Sequence, residues 1–263
     1  MKKTVSLLSA FILTASCFSS CSLEVEEAVI IQSAGDLEGK KIGTQIGTTG
    51  YILASDITNA MVEKYKDGNA ALQALEQKKV DAVIIDELTA KELVNGNKSL
   101  NILPDPFQEE EYAIAYKKGN AELGEKLDSA IDKLKSDGTL DDISKHWIGS
   151  NPDHKSYTSK SDVHREGKLI MATNAEFPPY ESMENGEIVG FDVDMATAIC
   201  DELGMELEIK NMDFSTITTS INLGEADIGI AGISVTPERE EIVDFTQGYA
   251  VSSQVIIVRD ESE

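Results

Sequence analysis

The sequence predicts an α/β fold with two lobes, because one pattern of elements occurs twice along the chain. Residues 69–78 are amphipathic with a helical period, and residues 80–85 form a short apolar run that is typical of a buried strand ending at Asp86. Residues 215–223 and 226–231 repeat this order of helix, turn and strand. Strands that are apolar on both faces are typical of sheets covered by helices on both sides.

Each copy is preceded by one more predicted strand, at residues 41–43 and at residues 168–172. Two such strand–helix–strand units favour two separate α/β lobes over one barrel. Between them, residues 121–136 and 140–147 are predicted helices that end near glycines. Residues 150–166 are rich in Ser, Asp and Lys, so we expect a solvated linker there.

The N-terminus predicts an export signal. A basic start is followed by an apolar run at residues 5–13, which is too short to span a bilayer. Small residues then lead to Cys17 and Cys21, and this segment resembles the lipoprotein signal peptide of bacterial lipoproteins. We expect residues 1–21 to be the signal peptide and Cys21 to carry the lipid, since the apolar run continues through Phe18. Cys17 is the alternative acceptor, and an ordinary cleaved signal with incidental cysteines is a second alternative.

The charge of the chain excludes some partners. The formal net charge is −24, and it becomes −26 without residues 1–21, which contain two lysines and no acidic residue. Such a charge repels nucleic acid and anionic lipid surfaces, so we expect membrane contact through a lipid anchor alone.

The remaining cysteine and the histidines indicate neither a disulfide nor a metal site. Cys200 has no partner for an internal disulfide, and its helix-like surroundings favour a buried, inert thiol. His146, His154 and His164 lack the close spacing of metal ligands. The sequence also has no phosphate-binding glycine loop, so we expect no metal and no cofactor.

A run after the last predicted strand indicates a binding site. Gly232, Ser234 and Arg239 follow that strand, and a guanidinium offers two parallel donors that match the two oxygens of a carboxylate. Ligands of α/β sheets bind beyond the carboxyl ends of the strands. The alternative is a surface helix for which residues 236–238 form only the N-cap and first turn.

Several motifs together resemble one protein family. Residues 168–180 (KLIMATNAEFPPY), 186–194 (GEIVGFDVD) and 232–239 (GISVTPER) resemble the first lobe of the extracytoplasmic amino-acid-binding proteins of ABC importers, bacterial solute-binding protein family 3. Residues 36–43 (DLEGKKIG) and 47–50 (GTTG) resemble the second lobe of that family. The resemblance implies a two-lobed periplasmic-binding-protein (venus-flytrap) fold of type II that closes on one amino acid.

The order of the motifs differs from the family, in which the lobe with Phe-Pro-Pro comes first. The chain therefore looks circularly permuted. The predicted division is lobe 2 at 31–112, a crossover with C-terminal-type helices packing on lobe 1 at 113–149, a linker at 150–166, lobe 1 at 167–254 and a former hinge segment at 255–263. We expect only the crossover near residues 112–117 to remain continuous, while the tail at 254–263 would cross, if it does, as a free end. We therefore expect a softer hinge than in an unpermuted relative.

The resemblance also assigns binding roles. It places the α-carboxylate of the ligand on Arg239, on Ser234 and on backbone N–H groups at Thr49, and the α-ammonium on the carbonyl of Gly232 and the carboxylate of Asp86. The charges are complementary, with a cation opposite the carboxylate and an anion opposite the ammonium. Asp86 alone could equally be the N-cap of a following helix.

Five further positions concern the ligand side chain. Phe177 and Phe214 match the aromatic residues that enclose it in the family, with ordinary core packing as the alternative. Asn174, Glu176 and Gln45 fall where the family varies with substrate. The neutral Asn174 weakens an assignment to cationic ligands, whereas Glu176 could supply a negative charge. We therefore expect a polar, uncharged or cationic amino acid.

The predicted function is capture of a free amino acid outside the cytoplasm and delivery to an ABC transporter permease, by a lipid-anchored monomer without catalysis. One alternative is a cyclohexadienyl (prephenate or arogenate) dehydratase-like enzyme on the same scaffold, in which Glu176 would transfer the proton. Another is a ligand-sensing domain, which is disfavoured because no transmembrane or signalling segment follows Glu263.

Overall fold

The computed structural model of the protein describes residues 30–149 and 155–260. The predicted signal peptide at residues 1–21, with Cys17 and Cys21, lies outside the described residues, and so does His154. Within the part of the chain that the structure describes, no helix combines the length and the apolar character needed to cross a bilayer.

The first half of the chain alternates strands and helices. A 3-10 turn at Ala34–Leu37 precedes β1 (Lys41–Gln45), α1 (Thr49–Asp56), β2 (Met61–Tyr65), α2 (Gly68–Glu76), β3 (Ala82–Asp86), α3 (Glu87–Leu93), β4 (Leu100–Ile102), β5 (Gln108–Lys117), α4 (Ala121–Ser136) and α5 (Thr139–Trp147). Polar side chains start several of these helices: the hydroxyl of Thr48 accepts the N–H of Tyr51, and the carboxylate of Asp67 accepts the N–H of Ala70. These caps satisfy backbone donors that have no partner within the helix.

The second half repeats the alternation. It comprises β6 (Lys168–Thr173), β7 (Glu176–Phe177), β8 (Glu181–Glu184), β9 (Glu187–Val189), α6 (Phe191–Leu203), β10 (Glu206–Asn211), a 3-10 turn at Phe214–Thr216, α7 (Ile217–Leu223), β11 (Ile228–Gly229), α8 (Pro237–Glu240) and β12 (Val243–Arg259). The predicted helix at 215–223 begins as the 3-10 turn, and the predicted strand at 226–231 is shorter because the chain turns at Gly232, where φ is +54°.

One sheet runs through both halves. In the described residues its strand order is β10-β6-β11-β5-β12-β3-β1-β2, and β4 joins at β12. On one side β6 pairs in parallel with β10 and β11; on the other, β1 pairs in parallel with β2 and β3. Each set of three parallel strands forms one lobe together with its helices, so the predicted two-lobed α/β fold is confirmed.

Two long antiparallel strands join the lobes. Strands β5 and β12 pair from Lys117 with Val243 to Gln108 with Gln254, with register shifts around Gly248. Strand β12 then pairs with β3 and β4 in the other lobe. Both β5 and β12 therefore cross between the lobes, and the softer hinge stays a prediction.

The predicted hinge segment at 255–263 needs correction over its described part. Residues Val255, Ile256, Ile257 and Val258 are buried and belong to the cores of lobe 2. A continuous Val/Ile run is stable where both faces of the strand are covered. The passage between the lobes lies earlier, near Gly248, where the ladder of hydrogen bonds is irregular.

The largest core lies under the helices of the second lobe. The side chains of Leu127 and Ile131 from α4 and of Ile143 from α5 join Met195 and Ile199 from α6 in one cluster. Thus α4 and α5, although they precede the linker, pack on the lobe built by the second half of the chain. Cys200 lies in α6 and is buried, as predicted, and burial raises the pKa of its thiol to about 12.

The described part of the linker is exposed and yet fixed in place. The carboxylate of Asp194 accepts the N–H of Tyr157 at 2.8 Å and the indole N–H of Trp147 at 2.7 Å. The carboxylate of Asp201 accepts the N–H of Lys160 at 2.7 Å and is paired with Arg165. Two aspartates of α6 therefore hold residues 155–166 against lobe 1.

Candidate functional site

A cavity lies between the lobes, where β1, β3, β6 and β11 end. Residues of both lobes and of both crossing strands line it: Gln45, Thr48, Thr49, Ile84, Ile85, Asp86, Glu110, Tyr112, Asn174, Phe177, Phe214, Gly232, Ser234, Arg239 and Gln254. The fold thus brings together every predicted site residue except Glu176. The carboxyl ends of parallel strands are the expected position for a ligand in an α/β sheet.

Arg239 supplies a buried positive charge to this cavity. Its side chain lies on the short helix α8, whose N-cap Thr236 accepts the N–H of Arg239. The guanidinium donates to the carbonyl of Ser234 at 2.6 Å and to that of Gly47, in the other lobe, at 3.0 Å. It also lies over the ring of Phe214, 5.3 Å from the centroid.

The guanidinium of Arg239 forms hydrogen bonds, but none of the described residues pairs with it as an anion. Among residues 30–149 and 155–260, no carboxylate forms an ion pair with Arg239. Burial lowers the pKa of Arg239, although the negative charge of Glu110 opposes this effect. A guanidinium has five N–H donors, so further donors are available beyond the two used for carbonyls.

Asp86 supplies the buried negative charge on the opposite wall. One carboxylate oxygen accepts the N–H of Thr89 at 2.8 Å, so Asp86 is the N-cap of α3. The other accepts the hydroxyl of Tyr112 at 2.8 Å and also that of Ser252. Burial raises the pKa of Asp86, while these donors oppose the rise. A carboxylate has about four lone-pair positions, so three donors leave one position open; Asp86 can act both as a cap and as a ligand contact.

Gly232 shapes the wall next to Phe177. The φ angle of Gly232 is +54°, and a Cβ atom there would lie 2.6 Å from Cε1 of Phe177. Both constraints exclude a larger residue. Phe177 in turn stacks on Tyr180, with ring centroids 5.5 Å apart. The ring therefore has a fixed position at the cavity.

Two amides connect the lobes at the other end of the cavity. The side-chain N–H of Gln45 donates to the side-chain oxygen of Asn174 at 2.9 Å, and Asn174 donates to the carbonyl of Met212 at 3.0 Å. Both amides are buried. Both line the cavity, and their contact with a ligand stays a prediction.

Glu176 lies elsewhere. It precedes Phe177 in β7, and successive residues of a strand point to opposite faces. Since Phe177 faces the cavity, Glu176 faces solvent, where it lines a separate surface pocket with Lys66 and Asp213. The structure does not place Glu176 in the cavity, contrary to the sequence-based expectation.

Glu110 and Gln254 line the cavity and were missed. They lie on the two crossing strands, where Glu110 pairs with Ser252 and Gln254 pairs with Gln108. Glu110 stands in a run of three glutamates, which is typical of a solvated edge. One signal was available: Tyr112 is two residues further on, and residues two apart share a face of a strand.

A second pair of carboxyl groups is buried behind the cavity. Asp192 accepts the N–H of Gly232 at 2.9 Å and the hydroxyl of Tyr249 at 3.0 Å. Burial raises the pKa of Asp192 to about 6, and burial together with the charge of Asp192 raises that of Glu181 well above its usual range. Asp192 thereby holds the Gly232 loop, and the buried position of Glu181 favours its protonated form.

Two α/β lobes that enclose a polar cavity, with a buried cation on one wall and a buried carboxylate on the other, have the architecture of a solute-binding protein. In the described part of the chain, no group of three or more His, Cys, Asp or Glu side chains is placed to hold a metal ion. Comparison with known proteins agrees with this class. Residues 169–263 match the bacterial extracellular solute-binding proteins, family 3.

Known relatives are similar over part of their length. The arginine-binding extracellular protein ArtP of Bacillus subtilis is 38% identical over 95 residues, which are 36% of this chain and 37% of ArtP. The L-cystine-binding protein TcyJ of Escherichia coli K12 is 33% identical over 123 residues, 46% of either chain. The solved arginine-bound domain 1 of TmArgBP is 38% identical, with 36% of this chain and 82% of that chain covered and a TM-score of 0.31. The chain thus spans less than half the length of these two curated relatives.

Proposed function

We propose that the protein captures one free amino acid in the cavity between its lobes. The observation that carries this proposal is Arg239: a guanidinium that is 8% exposed, faces the cavity and has no ion-pair partner among the described residues. A buried charge is costly unless it is paired, and a carboxylate is the anion whose two oxygens match a guanidinium. The carboxylate of an amino acid would supply this countercharge, with the Ser234 hydroxyl and the Thr49 region as further donors.

The other wall fits the ammonium group of the same ligand. Asp86 offers one open lone-pair position, and the carbonyl of Gly232 lies on the cavity wall. A zwitterion would thus meet a cation on lobe 1 and an anion on lobe 2. Water is excluded on closure, which strengthens each of these charged hydrogen bonds.

The side chain of the ligand would lie between Phe177 and Phe214, near Gln45 and Asn174. Phenyl rings and neutral amides suit a polar or a cationic side chain, and relatives named for arginine and for cystine are of this kind. We propose delivery to an ABC transporter permease outside the cytoplasm, with a lipid on Cys21 as the anchor. We expect binding without catalysis, since Glu176, the proton donor that a dehydratase-like enzyme would need, lies outside the cavity.

A thermal-shift screen against the twenty L-amino acids, followed by calorimetric titration of those that stabilise the protein, tests the proposal. A ligand that binds the folded state raises the unfolding temperature by mass action. We expect one or a few polar or cationic amino acids to do so. No shift with any of the twenty would contradict the proposal.

Arg239→Met keeps the length and apolar stem of the side chain and removes the charge. We expect this variant to bind the selected amino acid more weakly by about 30-fold or more, corresponding to ~2 kcal/mol, because one partner of a buried charge pair is lost. Glu238→Gln is the matched control, since Glu238 is the exposed neighbour of Arg239. Equal affinity of the Arg239→Met variant and the control would refute the assigned role of Arg239.

A further inference from the structure

Glu110 makes contacts that resemble those expected of a bound ligand. One oxygen of its carboxylate accepts the hydroxyl of Thr49 at 2.6 Å and the hydroxyl of Ser234 at 2.6 Å. The other accepts the side-chain N–H of Gln254 at 2.6 Å and lies 3.0 Å from the hydroxyl of Tyr112. Charge-assisted hydrogen bonds of this kind are stronger than neutral ones.

These donors come from both sides of the cleft. Thr49 belongs to lobe 2 and Ser234 to lobe 1, so a single oxygen of Glu110 links the two lobes. Thr49 and Ser234 are also two of the three positions that the resemblance assigns to the α-carboxylate of the ligand. A glutamate side chain presents the same chemical group, so it can occupy the same place between Thr49 and Ser234.

We propose that Glu110 is an intramolecular mimic of the ligand carboxylate, which holds the cleft closed until an amino acid displaces it. The inference rests on the proposed function, because it assumes that a ligand carboxylate binds at Thr49 and Ser234. Bound in this way, Glu110 competes with the ligand, and the apparent affinity falls by the fraction of molecules in the self-bound state.

The contacts of Arg239 explain why the mimic can be displaced. Glu110 forms no ion pair with Arg239, whose guanidinium donates to the carbonyls of Ser234 and Gly47. An amino acid would gain the same hydroxyls and the guanidinium as well. The self-bound state is therefore the weaker competitor, and binding exchanges one carboxylate for another without opening a gap at the hydroxyls.

Small-angle X-ray scattering without any amino acid tests the proposal. Glu110→Ala removes the carboxylate, Glu110→Gln removes its charge at nearly constant size, and Glu109→Gln is the control on the same strand with an exposed side chain. We expect the wild type and the Glu109→Gln variant to be compact and both Glu110 variants to have a larger radius of gyration. Circular dichroism and thermal unfolding establish that each variant is folded.

Acetate distinguishes a carboxylate site from a general structural effect. Millimolar acetate supplies a free carboxylate, so we expect it to restore compactness and raise the unfolding temperature of the Glu110→Ala variant, whereas chloride at equal ionic strength does neither. A folded Glu110→Ala variant as compact as the wild type would overturn the proposal. So would an open Glu110→Ala variant that acetate does not compact.

The outcomes separate this inference from the proposed function, because the scattering and acetate measurements use no amino acid. If they succeed and the amino-acid screen fails, Glu110 still holds the cleft closed at a carboxylate site, and the proposed function falls. If the screen identifies a ligand, we expect the Glu110→Ala variant to bind it several-fold more tightly than the wild type does. Weaker or equal binding would contradict competition by Glu110.

Discussion

The carboxyl groups of Glu181 and Asp192 show how single residues behind the cavity make stability depend on pH. Carboxyl groups of the unfolded chain titrate near pH 4. Burial raises the pKa of Asp192 to about 6 and raises the pKa of Glu181 well above its usual range. Between these pH values the folded state binds more protons than the unfolded state, so the free energy of unfolding falls as pH rises through the window.

Glu181→Gln should remove most of this dependence, because an amide keeps the shape of the side chain and cannot ionise. We expect the variant to be more stable than the wild type at pH 8 and similar to it near pH 4, because only the wild type must keep or lose a proton at a buried carboxyl group as pH rises. Urea unfolding across this range measures the difference. Glu184→Gln, an exposed position on the same strand, is the control. An equal pH slope in wild type and Glu181→Gln would count against the buried pair.

Residue types at strand ends made much of the site predictable. Asp86 follows an apolar strand, and Gly232, Ser234 and Arg239 follow another, so their chemistry could be read locally. Glu110 and Gln254 could not be found in this way. They are 144 residues apart in the sequence and meet only because β5 pairs with β12. The local sequence of β5 does not indicate that β12 will be its neighbour in the sheet.

At the scale of elements, α6 fixes the linker as well as the core. Burial raises the pKa of Asp201, but hydrogen bonds from Lys160, Ser159, Arg165 and Tyr157 outweigh it, so the pKa of Asp201 lies below its ordinary value. The bonded carboxylate therefore stabilises the fold at neutral pH, and this contribution is lost as pH falls below the ordinary titration range of an aspartate.

Asp201→Asn should release the linker. The amide oxygen cannot accept from so many donors, and the charge that pairs with Arg165 is gone, so we expect faster cleavage in residues 155–166 by a protease and a loss of about 1–3 kcal/mol in stability. Limited proteolysis and urea unfolding at pH 7 measure both effects. Asp162→Asn, within the exposed linker, is the control. Equal cleavage rates for the two variants would show that Asp201 does not hold the linker.

Secondary structure was predicted well where apolar residues recur with a strong helical period. It was not predictable where the partner of a strand determines its position. The helix α4 has the bounds predicted from its apolar spacing, Ala121–Ser136. Strand β12 could not be assigned in this way, since a hydrophobic run of Val and Ile shows that a segment is buried but does not show in which lobe. Its pairing with β3 is a tertiary property.

At the scale of the whole molecule, the circular permutation remains a prediction, and its mechanical consequence can be tested. The order of segments leaves β12 attached to lobe 2 through its pairing with β3 and β4. Residues 30–32 and 258–260 line one surface cavity, so a short Gly/Ser loop can join them. The variant for comparison carries this loop, and its new N- and C-termini are placed between residues 150 and 166.

We expect the relinked variant to fold and to bind the same amino acid, and to show less open-state freedom without ligand, because a covalent bond then supports the strand pairing. Small-angle scattering compares the two chain orders, both with Glu110→Ala so that the Glu110 contact closes neither cleft. Identical scattering curves would refute a softer hinge in the present order.

The crystal structure of the protein with the amino acid selected by the screen tests the central claim most directly. The account predicts the carboxylate of the ligand at Arg239 and Ser234, its ammonium at Asp86 and the carbonyl of Gly232, and the side chain of Glu110 turned away from Thr49. An amino acid bound outside this cavity, or bound in it with its ammonium toward Arg239, would contradict the account.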